Sequence, residues 1–382
     1  MMDRREFIRH SVCAGCLAAS GGVFSPTARA ADVRLPLAQD VSDHEALFYD
    51  KLDDLKVQCT LCPKECRVAD QERGYCGVRE NQHGVYKTLV YGRPCTLHVD
   101  PIEKKPLFHY LPGSSAFSVA TAGCNMECKF CQNWDISQFR PEQIRMVDLP
   151  PNTLAEVAQK ANSQTLAYTY SEPVVFYEYM LDCASAARQL GIGSVMISNG
   201  YIREAPLNKL LPQLTAIKVD FKGFSEDFYK NTCNGELKPV LRAMELAKEQ
   251  GIWLEIVILI IPTYNDSETE CKLMAEWIVA HLGPDVPIHL SRFHPIYKMK
   301  TIPSTPVATL ERIYKQMKDA GNHYVYIGNV AGHPAENTVC PSCGALLIQR
   351  LGYTTTVVGM EEGICKQCQN AIPGVWKSLF GG

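Results

Sequence analysis

Gly123-Cys124-Asn125-Met126-Glu127-Cys128-Lys129-Phe130-Cys131-Gln132-Asn133, preceded by the apolar run Ala116-Phe117-Ser118-Val119-Ala120, is the stretch from which the rest of the chain reads outward. Three cysteines, separated by three and then two residues, sit on a loop that leaves a strand, and their thiolates can converge on one metal centre. Zinc sites usually draw four ligands from two CxxC pairs. This triplet has three thiolates and no obvious fourth ligand nearby. A four-iron cluster with one iron left open suits that count, and an open iron can bind something else. A zinc knuckle and a plain electron-transfer cluster are the alternatives.

At 382 residues the chain exceeds one average domain and can hold a barrel with small appendages. Apolar residues make up 46%, enough for a sizeable core. Basic and acidic residues balance at 38 and 41, which suggests no nucleic-acid footprint and leaves a small molecule or a protein as the partner. Of the 17 cysteines, those at 59, 62, 66, 76, 124, 128, 131, 340, 343, 365 and 368 form three tight clusters. Clusters point to metal, because disulfide frameworks normally belong to shorter chains with poor cores.

Residues 1–31 read as an export signal: Arg4-Arg5 followed by an apolar pair, an Ala/Gly-rich stretch from Ser11 to Phe24, and Ala28-Arg29-Ala30 as a cleavage site. Low hydrophobicity and the arginine pair favour the twin-arginine route and a periplasmic location; an ordinary basic N-terminus would leave the protein cytoplasmic. Cys16 after Ala-Gly is a weak lipidation signal. No later stretch is long and apolar enough to span a membrane; Ile256 to Pro262 is too short. Residues 32–110 comprise a polar linker, a short helix around His44 to Leu55, and a cysteine-rich module. Here Cys59, Cys62, Cys66 and Cys76 fall within eighteen residues and make a cage for zinc or a second cluster. Two disulfides are the alternative in an exported protein.

Residues 111–333 repeat strand, loop and helix. Apolar runs recur at Phe117–Ala120, Thr165–Tyr168, Ser194–Ile197, Ala216–Val219, Trp253–Ile261, Ile288–Leu290 and Tyr324–Ile327. Helical periodicity marks Pro173–Leu190, Lys238–Gln250 and Glu268–Leu282. Apolar strands separated by helices predict an α/β fold, a full or partial (β/α) TIM-like barrel with chemistry at the C-terminal strand ends. Polar residues do follow the runs there, among them Ser171-Glu172, Ser198-Asn199, Asp220-Phe221-Lys222 and Arg292-Phe293-His294. Residues 334–382 carry Cys340-x2-Cys343 and Cys365-x2-Cys368, twenty-one residues apart around a hairpin from Leu346 to Val358. That is a closed ribbon for zinc or iron.

Together these motifs resemble the radical S-adenosylmethionine (SAM) superfamily, in particular its AmmeMemoRadiSam-type branch, relatives of the pyruvate formate-lyase activating enzyme. The resemblance rests on Cys59-x2-Cys62-Pro63-x2-Cys66, Gly74-Tyr75-Cys76-Gly77-Val78-Arg79, the Cys124/Cys128/Cys131 triplet with Gln132-Asn133-Trp134, Tyr168 to Pro173, Ser198 to Tyr201, Lys218 to Lys222, Phe293-His294-Pro295 and the terminal knuckles. It implies a 4Fe–4S cluster on Cys124, Cys128 and Cys131 that reductively cleaves SAM to a 5′-deoxyadenosyl radical. It also implies Glu172 on the ammonium of SAM, and Ser198, Asn199, Asp220, Lys222 and His294 around its carboxylate and ribose. A flavodoxin- or ferredoxin-like electron donor is the expected partner. The family's Gly-Gly-Glu-Pro stands here as Tyr170-Ser171-Glu172-Pro173, and Ile197 replaces an acidic residue that helps bind a monovalent cation in activating enzymes. Two other readings accompany this one: a glycyl-radical activase that modifies a partner protein, and an exported electron-transfer protein without SAM chemistry. Trp134, Tyr168, Tyr170, Phe221, Phe224 and Tyr297 are candidates to wall the site or to fill the core.

Overall fold

The computed structural model describes residues 35–378, so the export signal and Cys16 lie outside the described residues. The described residues begin with two small antiparallel sheets. β1 (His44–Glu45), β6 (Val85–Thr88) and β5 (Arg79–Gln82) form one; β2 (Tyr49–Lys51), β3 (Val57–Cys59) and β4 (Arg67–Val68) form the other. The helix expected around His44 to Leu55 is therefore replaced by β1 and β2. Phe48, Asp54 and Leu55 adopt left-handed backbone, with φ near +57°, which a right-handed helix excludes. Strands of two or three residues are too short to show an alternating pattern, and β6 lies far along the chain from β1.

One eight-stranded sheet carries the centre of the molecule: β7 (Thr96–Pro101), β8 (Ser115–Ala120), β9 (Thr165–Tyr168), β10 (Gly193–Ser198), β11 (Ala216–Asp220), β12 (Trp253–Ile260), β13 (Ile288–Arg292) and β14 (Val325–Gly328), neighbours in sequence order. β8 to β14 are parallel, and β7 runs antiparallel to β8 with Thr96 opposite Ala120. Residues 96–101, which the sequence boundaries group with the cysteine-rich module, thus supply the sheet's edge. One helix crosses over between each pair of parallel strands: α1 (Pro151–Lys160), α2 (Tyr177–Gln189), α3 (Glu204–Leu210), α4 (Leu237–Glu249), α5 (Glu268–Leu282) and α6 (Val307–Asp319). α5 has the bounds its periodicity predicts. Ser267 Oγ caps it by accepting from Glu270 N at 3.2 Å, and Gly283 ends it at φ +85°. Among the described residues no pairing joins β7 to β14.

β9 and β10 are buried at every residue, as strands covered on both faces must be. The C-terminal tail, β15 (Thr338–Val339), β16 (Leu346–Leu351), β17 (Thr354–Val357), β18 (Met360–Glu361) and β19 (Ile364–Cys365), packs Leu347, Ile348 and Met360 onto Phe108, Tyr324 and Tyr326. A buried carboxylate steadies this end. Glu255, fully buried near the start of β12, accepts from Phe108 N at 2.9 Å, His109 N at 2.8 Å and His289 Nε2 at 2.7 Å. Burial alone would push Glu255 up, but the bonds and the histidine charges hold it below the usual carboxylate range. No helix among the described residues is long and apolar enough to cross a membrane.

Candidate active site

The loop after β8 carries the cysteine triplet and is held from three sides. Glu127 N and Lys129 N donate to the carbonyls of Cys233 and Thr232, at 2.9 and 3.0 Å, on a turn of π-helix spanning Tyr229–Cys233. Single π-turns often mark functional sites. Asn133 Nδ2 reaches the Tyr170 carbonyl at 2.8 Å, and Asn125 Nδ2 the Tyr201 carbonyl at 2.7 Å. Gly123 has φ +95°, and a Cβ there would meet Val78 Cγ1 at 2.6 Å and the Cys76 carbonyl at 3.0 Å. Only glycine lets the loop pass that close to the cysteine-rich module.

Glu172, 2% exposed at the end of β9, is the polar centre. Its carboxylate accepts from Ser198 Oγ at 2.6 Å, Asn199 N at 2.8 Å and Val174 N at 3.1 Å. Burial raises it to about 7 despite these three bonds. No lysine, arginine or histidine of the described residues stands within ion-pair distance of it. Asn199 continues the network, with Nδ2 donating to Asn125 Oδ1 at 2.9 Å and lying 3.9 Å from Cys124 Sγ. A hydrogen-bonded path therefore runs from the carboxylate to a thiol of the triplet. Beside Glu172, the buried Ser171 Oγ has no partner. Asp220, at the end of β11, pairs with Lys218 and, at 3.4 Å, with Lys222. The Lys222 charge acts on Cys128 and Cys131 as well as on Glu172.

The triplet, Glu172, Ser198, Asn199, Asp220 and Lys222 are thus gathered at one end of the sheet. His294 is not joined to them: it is exposed, and its ring bonds Ser304 Oγ at 3.1 Å. Of the aromatic candidates, Tyr168 and Phe221 are fully buried core, and Phe224 packs on Phe221 and Trp277. Trp134 and Tyr297 stack at 5.3 Å, with Trp134 exposed beside the loop. Tyr170 leans on Asp100 and Lys105. Two residues escaped the sequence reading. Asn125 lay in plain view inside the quoted loop, whereas the buried Cys233, whose carbonyl accepts from Glu127 N, had no local signal at all.

Every cysteine among the described residues is a free thiol, so the disulfide alternative for Cys59, Cys62, Cys66 and Cys76 finds no support. The four C-terminal sulfurs, on Cys340, Cys343, Cys365 and Cys368, lie within 4.8 Å of one another. No other three His, Cys, Asp or Glu side chains among the described residues bring ligand atoms that close. The triplet's wider spacing suits a cluster, in which each cysteine takes a different iron.

A sequence profile described as the radical SAM superfamily matches residues 118–271. The uncharacterized protein MJ0808 of Methanocaldococcus jannaschii is 47% identical over 330 residues, covering 86% of this chain and 98% of that protein. The chain belongs to the radical SAM superfamily. A second protein of this archaeon, MJ0674, is 27% identical over 69% of this radical SAM chain and 77% of its own. Among solved structures, a domain of the pyruvate-formate lyase-activating enzyme from Bacteroides vulgatus is 19% identical, covering 43% of this chain and 98% of that domain, with TM-score 0.38. A radical SAM methyltransferase from Sphaerobacter thermophilus is 15% identical, covering 62% and 71%, with TM-score 0.45. Radical SAM proteins use a 4Fe–4S cluster and SAM, and the donors here fit both. Three free thiols stand beside a lysine charge, and a buried carboxylate without an ion pair lies one asparagine away from them.

Proposed function

We propose that this chain is a radical SAM enzyme whose cluster sits on Cys124, Cys128 and Cys131 and whose SAM is oriented by Glu172. The observation that carries the reading is the Glu172 carboxylate, buried, bonded by Ser198 and Asn199, and lacking a cation. An ammonium group would supply the charge that burial has withheld, and a buried charge-assisted pair orients strongly. With cluster and SAM bound, the chemistry supplied is reductive carbon–sulfur cleavage to methionine and a 5′-deoxyadenosyl radical that takes hydrogen from a substrate.

The chain's own residues position and shield. Asn199 and Asn125 lock the loop to the strand end that carries Glu172. Lys218 and Lys222, held by Asp220, set positive charge where the carboxylate and ribose of SAM are expected. The Trp134–Tyr297 stack shields the loop's outer side. The substrate, a small molecule or a protein, enters from the C-terminal strand ends, and a flavodoxin- or ferredoxin-like carrier supplies electrons. The closed C-terminal tetrad holds one structural ion, zinc or iron.

The test is anaerobic: reconstitute the full chain with iron and sulfide, reduce it, add SAM, and quantify 5′-deoxyadenosine beside Cys128→Ala. Release that depends on Cys128 is expected. Iron and SAM bound without release above the control would sink the enzymatic reading in favour of an electron carrier.

A further inference from the structure

The four cysteines of the N-terminal module are remote from the triplet in sequence and adjacent to it in space. β3 and β4 bring Cys59 beside Cys66, with Cys59 N donating to the Cys66 carbonyl at 2.9 Å. A tight turn closes from Glu65 N to the Cys62 carbonyl at 3.1 Å. A second turn at Gly74–Gly77 presents Cys76, and Tyr75 N lies 3.4 Å from Cys66 Sγ, as an amide does when it donates to a thiolate. The charges of Cys59, Cys66 and Cys76 all bear on Cys62. These are four free thiols folded around one space.

Arg79 shows what that space is made for. It is 1% exposed, and only its Nη2 is bonded, to Glu178 Oε2 at 2.5 Å. Nε and Nη1 are buried without a partner, and the guanidinium acts on Cys59 and Cys76. A buried donor left without an acceptor is destabilising. Glu178 already answers the guanidinium charge, whereas a metal centre with four thiolates offers the sulfur acceptors that the orphaned donors lack.

The C-terminal tetrad then serves as an internal ruler. Thiolates around one ion at a metal–sulfur distance of about 2.3 Å stand roughly 3.8 Å apart. The C-terminal sulfurs, all within 4.8 Å, match that; no three of the N-terminal set close so far. A cage wider than one ion needs fits a cube that gives each cysteine its own iron.

The module also lies directly on the triplet's loop. The Cys76 carbonyl and the Val78 side chain stand against Gly123. The Leu61 carbonyl accepts from Arg203 N at 3.1 Å, two residues after Tyr201, whose carbonyl holds Asn125. A cavity of about 570 Å³ is lined by both Cys76 and Cys124.

We infer that Cys59, Cys62, Cys66 and Cys76 hold a second 4Fe–4S cluster, with the unmet donors of Arg79 available to its sulfurs, that exchanges single electrons with the centre at Cys124, Cys128 and Cys131. The exchange rests on the proposed function; the second cluster does not. One electron from a flavodoxin- or ferredoxin-class carrier lowers the second cluster from its 2+ to its 1+ core. The same electron then passes to the triplet's cluster and restores the 2+ core, with no bond or proton changed.

The decisive protein is the full chain with Cys124, Cys128 and Cys131 all replaced by alanine, which leaves the module untouched. After anaerobic reconstitution it should retain about four irons and as many sulfides, with a cubane EPR signal on reduction that SAM does not alter. Zinc in the module, no iron, or a lone iron confined to the C-terminal tetrad would overturn the inference even if the wild type releases deoxyadenosine. Conversely, an intact second cluster beside a wild type that never cleaves SAM would overturn the proposed function alone. Cys66→Ala should lower wild-type iron from about eight to about four per chain. With a protein donor it should also slow reduction of the triplet's cluster at least tenfold; an unchanged rate would remove the exchange.

Discussion

The cysteine quartets near the two ends of the described chain use the same ligand, the same CxxC knuckle and the same turn chemistry, yet they close differently. The C-terminal sulfurs gather within 4.8 Å on a ribbon that packs against Phe108, Tyr324 and Tyr326, at the end of the sheet away from the triplet. The N-terminal thiols stay wider, belong to a module with a buried arginine that has two unmet donors, and come up to the triplet's loop through the Cys76 carbonyl at Gly123. The difference teaches that ligand spacing in sequence reports the presence of a metal site, whereas ligand spacing in space reports what the site is for. A closed tetrahedron holds structure; a wide cage beside a reactive loop can carry charge to it.

If that contrast is right, damage at the two ends should have opposite signatures. The largest effect is expected from Cys365→Ala. It should empty the C-terminal site and cost on the order of 3–5 kcal/mol through loss of a folding metal. Metal analysis and denaturant unfolding would show this, with SAM affinity nearly unchanged in the protein that remains folded. A variant that keeps its stability would erase the distinction between a structural and a reactive end.

Glu172→Gln should behave the other way. Removing the buried charge that awaits a cation should weaken SAM binding by about 1.5–3 kcal/mol, roughly 10- to 150-fold. Equilibrium dialysis of the reconstituted protein measures it, and the unfolding midpoint should not fall. Unaltered affinity would remove Glu172 from the site.

Gly123→Ala probes the seam between module and loop. The left-handed backbone and the contacts at 2.6 and 3.0 Å should cost about 2 kcal/mol. Urea unfolding reads the loss, and EPR should show both iron centres disturbed together. A shift at only one centre would mean that the seam does not couple them.

The smallest effect is a pH dependence. Glu172 is raised in the folded protein from an ordinary 4.5 to about 7. The folded state therefore holds a proton that the unfolded chain releases earlier, so this group's contribution to stability declines as pH rises from about 4.5 to 7. Pairing with an ammonium needs the ionised form, so SAM affinity should rise over the same window. Between pH 6 and 7 the ionised fraction of a carboxyl that titrates at about 7 rises from roughly a tenth to a half, so the gain is about fivefold, or about 1 kcal/mol. Glu172→Gln should flatten both profiles, and a pH-independent wild type would exclude Glu172 as the titrating partner.

Legibility followed the range of the interactions concerned. Strands β8 to β14 and helix α5 showed in the sequence because burial on two faces writes continuous apolar runs, and Ser267 and Gly283 punctuate a helix locally. β1 and β2 were misread because strands so short carry no period of their own and exist only through β6 and β3. In the site, the triplet and Glu172 stood in recognisable spacing. His294 matched the same family pattern, yet its exposed ring bonds Ser304, and among the described residues no hydrogen bond or ion pair joins it to the gathered ones. Cys233 against the triplet's loop arises from a backbone pairing across about a hundred residues that no local motif encodes.

The sequence by itself determined the clustering of the cysteines, the parallel α/β architecture and the motifs by which the chain resembles the radical SAM superfamily. Those follow from residue type and short spacing, which are local properties. Only the tertiary structure decided that Glu172 is buried without a cation, that the buried Arg79 has two unmet donors, and that the sulfurs of one quartet gather within 4.8 Å while those of the other stay wider. Burial, charge compensation and sulfur–sulfur distance depend on segments far apart in the chain meeting at fixed separation, and folding alone sets that separation.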